Sequence, residues 1–75
     1  MTTVMEELTK TEALLALVKE ETGLDAELDD DIESLGFDSL EFVSFLQAVE
    51  EKFHIEIQIS DYGSIYTLRD IRARL

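Results

Sequence analysis

Phe42, Leu46, Val49 and Phe53 recur at steps of four, three and four. Only an α-helix brings residues so spaced onto one face. Just ahead of them stands Asp38-Ser39-Leu40-Glu41, with an acid suited to capping a helix and a glutamate three residues on. The pattern predicts a helix from Ser39 to Phe53, with Asp38 as its cap. Phe45 and Val43 flank the apolar seam, and Leu40, Glu41, Ser44, Gln47, Ala48 and Glu51 fall on the opposite side.

A second helical period occupies the first third. Val4, Leu8, Thr11, Leu15 and Val18 define its stripe, widened by Leu14 and Leu17. Thr3 and Glu6 have capping-box spacing, and Gly23 is a natural stop with Lys19 in the last turns. This predicts a helix from Val4 to Thr22. A third capping pattern, Thr67 with Asp70, opens a last helix through Leu68, Ile71 and Leu75. Residues 54–59 alternate polar and apolar as a strand would. With no second convincing strand to pair with, a lone strand is not stable. An extended loop that drops isoleucines into a helical core is expected instead, with Ser60-Asp61-Tyr62-Gly63 starting a short turn. The long stretch from 23 to 38 reads as an ordered connection with a helical turn, pinned by Leu24, Leu28, Ile32 and Leu35. The expectation is an all-α fold: one domain over residues 1–75, three main helices plus a short helical turn.

Charge narrows the function. Eighteen acids against six bases give −12, and residues 1–68 alone carry 17 acids and three lysines. Such a field repels nucleic acids and anionic lipid and attracts basic protein surfaces. No apolar run approaches a membrane span. There is no cysteine, so neither a disulfide nor a thiolate is available, which fits a reducing cytoplasm. The start at Met1 shows no leader pattern, and the expected location is cytoplasmic. Catalysis has no visible constellation. The single histidine, His54, follows the second helix, where a histidine favours the helix dipole. Asp25, Glu27, Asp29, Asp30, Asp31 and Glu33 put six acids in nine positions. They fail as a calcium loop: the sixth position is Asp30, where glycine is needed, and the twelfth is Gly36, where glutamate is needed. No metal site, no catalytic residue and no enzyme activity is expected.

With Asp38 as the cap, Ser39 takes the first helical position, away from the Phe42–Phe53 seam and facing water. A phosphate ester there would meet the unpaired amides and positive end of the helix. Gly36 lets the backbone turn tightly just before it. A plain solvated serine at a helix start accounts for the same residues, and physics alone does not say what is attached.

The run Ile32-Glu33-Ser34-Leu35-Gly36-Phe37-Asp38-Ser39-Leu40 resembles the attachment motif of acyl carrier proteins, whose core is Leu-Gly-x-Asp-Ser-Leu. The likeness continues through EFVSFLQAVEEKFHIEI and covers essentially the whole chain. It implies a 4′-phosphopantetheine arm on Ser39, transferred from coenzyme A by a phosphopantetheinyl transferase. Acyl or aminoacyl groups would ride on the arm's thiol as thioesters. It further implies that Gly36, Asp38 and Leu40 belong to the attachment motif. Leu40, Glu41, Glu50 and Glu51 would meet basic surfaces of loading and chain-modifying enzymes, and the protein would work as a monomer. Four positions depart from the carriers of fatty acid synthesis: Phe37 where a small residue is usual, Ser44 for an acid, Gln47 for methionine and Gln58 for proline. They favour a specialised, free-standing carrier of a polyketide, peptide, lipid-modifying or aminoacyl pathway. The alternative from another class is an acidic helical interaction module that is never modified.

Overall fold

The computed structural model describes residues 4–75, with Val4, Met5 and Glu7 described by their backbone alone. Helix α1 runs Val4–Thr22, α2 Ser39–Phe53 and α3 Leu68–Arg72. A first 3-10 turn, Ile32–Leu35, sits in the α1–α2 connection, and a second, Ile59–Ser64, in the α2–α3 connection. The all-α expectation holds, and the two 3-10 turns fall in the two connections where the sequence suggested a turn. Among the described residues no strand forms, and no helix is long and apolar enough to cross a membrane.

The predicted ends are where local chemistry put them. Gly23 closes α1 at φ 79°, and its N–H donates to the Lys19 carbonyl at 2.7 Å. The Asp38 side chain accepts from the Glu41 amide at 2.8 Å and caps α2. Thr67 and Asp70 form the full reciprocal box on α3: the Thr67 hydroxyl accepts from the Asp70 amide, and the Asp70 carboxylate accepts from the Thr67 amide. The box expected at Thr3 lies outside the described residues. His54 takes a left-handed conformation, φ 55°, as the residue that stops α2. Helix α3 ends at Arg72, short of Leu75.

One hydrophobic cluster holds these elements together, and its centre is displaced from the predicted stripes. On α1 the buried residues are Leu14, Leu17 and Val18, whereas Leu15 is half-buried and Leu8 is 55% exposed. The C-terminal residues reach α1 at Lys10 and Thr11, through the Leu75 carbonyl and the Arg72 guanidinium. Leu8 lies one turn beyond that cover. On α2 the buried residues are Phe45, Leu46 and Val49, with Phe42 and Phe53 half-buried. Phe45, expected as a flank, is the centre. The reason is aromatic: Phe37 stacks on Phe45 with ring centroids 5.1 Å apart, while Phe42 turns to meet Tyr62 edge-on at 6.4 Å. Ala48, expected on the far side, packs partly buried against the core. In the loops, Ile32, Leu35 and Ile57 are buried as anchors, Leu28 and Ile55 partly so, but Leu24 and Ile59 are exposed.

The acidic connection is pinned by backbone as well as by side chains. It runs antiparallel to the entry of α3: Ile32 N–H to the Tyr66 carbonyl (2.8 Å), Leu68 N–H to that of Asp30 (3.3 Å), and Arg69 N–H to that of Leu28 (2.8 Å). Asp29 pairs with Arg69 at 2.7 Å, so part of the C-terminal positive charge answers the acidic loop. The Arg69 guanidinium bonded to Asp29 holds that carboxyl below the usual range.

Asp70 ties the same seam. Its carboxylate accepts from the Tyr66 and Thr67 amides at 2.8 and 3.0 Å, and these bonds hold its pKa below the usual range. A carboxyl depressed in the folded state stabilises fully above its unfolded value of about 3.9. That contribution is lost as pH falls through the lower folded value. Thermal midpoints taken from pH 6 to pH 2 are expected to fall more steeply for the parent than for Asp70→Asn. Parallel curves would remove Asp70 as a source of acid sensitivity.

Gln58, at φ −68°, precedes the second 3-10 turn. Proline fixes nearly that angle, and the Gln58 N–H makes no hydrogen bond among the described residues. Gln58→Pro is therefore expected to stabilise by about 0.4–1 kcal/mol through the unfolded chain. Urea denaturation would show a higher midpoint at unchanged slope. A lower midpoint would mean that Ile57, which must precede the ring, cannot accommodate it.

Candidate functional site

The first 3-10 turn ends at Gly36, whose φ of 83° and ψ of 12° lie in the left-handed region. Its N–H returns to the Glu33 carbonyl at 3.2 Å. A Cβ there would touch nothing, so the need for glycine is conformational, about 1–2 kcal/mol for an L-residue. This reversal delivers Asp38 in extended backbone, φ −84° and ψ −179°, at the head of α2.

Ser39 is the first residue of α2 and is exposed. Among the described residues its Oγ has no hydrogen-bond partner. A helix start leaves four amides without intrahelical partners. Here the Glu41 amide goes to the Asp38 side chain and the Phe42 amide to the Asp38 carbonyl. The amides of Ser39 and Leu40 have no hydrogen-bond partner among the described residues. The site offers an accessible nucleophilic oxygen and a local positive field for an anion attached to it. Residues of this kind fit a phosphodiester-linked arm.

Beside Ser39 lies an open groove of about 460 Å³. Phe37, Phe42, Ile65 and Tyr66 give it an apolar wall, and Asp31, Glu33 and Asp38 add acids. Sequence reasoning did not find this groove. Ile65 and Tyr66 stand 26 and 27 positions after Ser39 and join it only through the antiparallel seam. Phe37 was visible in the sequence as a departure, yet nothing in its spacing showed that it would wall a groove.

The remaining expected residues are distributed along α2. Leu40 is 82% exposed, and with Ser44, Gln47 and Glu51 it forms an exposed stripe down the helix. Glu41 is exposed beside the start of this stripe. Glu50 differs: it is half-buried, and its carboxylate accepts from the Ile57 amide at 3.2 Å, which holds the loop after α2. Among the described residues no three acids converge as a metal site.

The phosphopantetheine attachment site family matches residues 12–75, which include Ser39 and every wall of the groove. An acyl carrier protein of Campylobacter jejuni subsp. doylei is 38% identical over 60 residues, 75% of this chain and 78% of that protein. The chain belongs to the acyl carrier protein family. A second acyl carrier protein, from a strain of Campylobacter jejuni, is 40% identical over 60 residues with the same shares covered. One from Campylobacter lari is 45% identical over 40 residues, 53% of this chain and 52% of that protein. No solved structure matches significantly. As an acyl carrier protein the chain has a covalently attached 4′-phosphopantetheine, and it interacts with a phosphopantetheinyl transferase and with acyl-handling enzymes. Proteins of this family carry; they are not catalysts.

Proposed function

We propose that Ser39 is the attachment residue, and that this single domain of residues 1–75 is a carrier that performs no chemistry of its own. The observation that carries the reading is the unpartnered Ser39 hydroxyl at the head of α2, with the Ser39 and Leu40 amides open beside it. The arm supplies a thiol that holds cargo as a thioester. The protein's part is to hold the linking phosphate. On transfer from coenzyme A, Ser39 Oγ bonds to the pantetheine phosphorus as the pyrophosphate P–O bond breaks; adenosine 3′,5′-bisphosphate leaves, the hydroxyl proton is released, and the two open amides with the helix dipole favour the phosphodiester anion that remains. Gly36 and Asp38 set the approach to α2, and Leu40 stands exposed one residue after the attachment point.

Leu40, Glu41, Glu50 and Glu51 form the recognition surface in this reading. Three of them are exposed, and Glu50 also holds the following loop. Their charge suits partners with basic surfaces, raising the rate of encounter more than its strength. The reading includes a cytoplasmic monomer serving a specialised pathway of polyketide, peptide, lipid-modifying or aminoacyl type. Support for the specialised role comes from Phe37, which fills space against Phe45, and from the uncharged Ser44 and Gln47 on the exposed stripe of α2. The alternative of an unmodified interaction module is not favoured, since it leaves the family match without a cause.

The test is intact mass of apo protein before and after incubation with coenzyme A and a broad-specificity transferase, followed by fragment mapping. A gain of one phosphopantetheine on the peptide spanning residues 35–42 is the expected result. An arm found elsewhere, or none on protein shown to be folded, would sink the assignment of Ser39.

A further inference from the structure

The groove beside Ser39 has an asymmetric chemistry. One wall is apolar: Ile32 and Ile65 are buried at its base, Phe37 and Phe42 are half-buried, and Tyr66 is 69% exposed. The other contribution is negative, from Asp31, Glu33 and Asp38. Among the described residues no lysine or arginine lines it. Asp38 is occupied with the Glu41 amide, but the Asp31 side chain makes no capping bond. The Asp31 and Glu33 carboxylates have no hydrogen-bond or ion-pair partner among the described residues, and both residues are exposed. The volume of about 460 Å³ lies within the range of small-molecule sites.

Ser39 lies on the lip of this groove, so whatever the arm carries is tethered over it. Tethering through a short flexible chain gives an effective concentration of the order of millimolar. Even a weak preference of the groove is then expressed. We propose that the groove receives the cargo end of the arm and selects acyl groups that bear a free amine, that is, aminoacyl thioesters. The ammonium is drawn to Asp31 and Glu33, and the cargo side chain lies on Phe37, Phe42 and Tyr66, whose ring faces also favour a cation. A cargo ending in a carboxylate meets two like charges and the phosphate of the arm, and stays in solvent. This inference rests on the reading of Ser39 as the attachment residue.

The test uses three coenzyme A analogues whose cargo is amide-linked and cannot hydrolyse: leucyl with a free amine, N-acetyl-leucyl, and succinyl. Each is transferred to the apo protein, and intact mass confirms the load before amide chemical shifts are compared with those of the unacylated arm. An exposed ion pair favours the bound arrangement by about two- to fivefold. The leucyl arm is expected to shift the amides of Ile32, Phe37, Phe42, Ile65 and Tyr66 by about that factor more than N-acetyl-leucyl, with succinyl smallest. The difference should vanish near 1 M salt, where the screening length is about 3 Å. It should vanish also in the Asp31→Asn, Glu33→Gln double variant, whose exposed positions leave folding intact by circular dichroism. Equal shifts for leucyl and N-acetyl-leucyl, or none for any cargo, would overturn the selection while leaving the carrier reading in place. Failure of any analogue to load on Ser39 overturns both.

Discussion

Phe45→Ala is expected to remove most of the stability of the fold. Phe45 is fully buried at the meeting point of α2 and the α1–α2 connection, with Phe37 stacked on it. Truncating a buried phenylalanine costs about 3–5 kcal/mol, from lost burial and from the cavity left behind. A chain of 75 residues has a total of about 4–11 kcal/mol at typical stability per residue. The repulsion of twelve uncompensated charges places this protein toward the lower part of that range. Each 1 kcal/mol moves the thermal midpoint of so small a domain by about 4–8 °C. The variant should therefore melt at least about 12 °C lower, and part of it should be unfolded at 25 °C. Phe45→Leu, which keeps more of the volume, is expected to fall well short of that loss. Circular dichroism melts of the three proteins decide it. A loss below about 5 °C for Phe45→Ala would mean that Phe37 moves inward and fills the space, and the stacked pair would lose its place as the centre of the core.

That centre shows where sequence reasoning stopped. Helix limits were legible because they depend on neighbours in the chain: Asp38 and Glu41, Thr67 and Asp70, Gly23 after Lys19. The rejection of a strand at 54–59 was also legible, since a strand needs a partner and none was written. The burial of individual side chains was not. Periodicity gives the face of a helix to within a residue or so, but which residue lies deepest depends on what covers that face. Phe37 covers Phe45, and its position follows from the reversal at Gly36. Leu8 and Leu24 have the spacing of core residues and yet remain exposed, at 55% and 45%.

The site divides the same way. Ser39, Gly36 and Asp38 lie within four positions and share one local geometry, so their roles followed from capping and backbone freedom. The groove joins residues from 31 to 42 with Ile65 and Tyr66, and its register is set by backbone bonds between Ile32 and Tyr66 and between Leu68 and Asp30. Those bonds use main-chain groups that every sequence possesses. Nothing in residue identity at 65 and 66 announces them.

Ser39→Ala is expected to abolish uptake of the arm completely while leaving the fold as stable as the parent. The two halves have separate causes. Loading requires a hydroxyl oxygen to form the phosphoester, and alanine has none; the serines nearest in sequence, Ser34 and Ser44, are five positions away on either side, and the Oγ of Ser34 is bonded to the Asp31 carbonyl. Stability, in contrast, does not involve this side chain. Ser39 is exposed, its Oγ is unpartnered, and the capping work belongs to Asp38. Alanine has the higher helix propensity, so the midpoint should stay level or rise by a few tenths of a kcal/mol. Intact mass after treatment with coenzyme A and transferase, paired with a urea titration, reads both. Loss of loading together with loss of folding would show that Ser39 supports α2 in a way the geometry does not reveal. Persistent loading of the folded variant would place the arm on another residue, and the open amides of Ser39 and Leu40 would then need a different occupant.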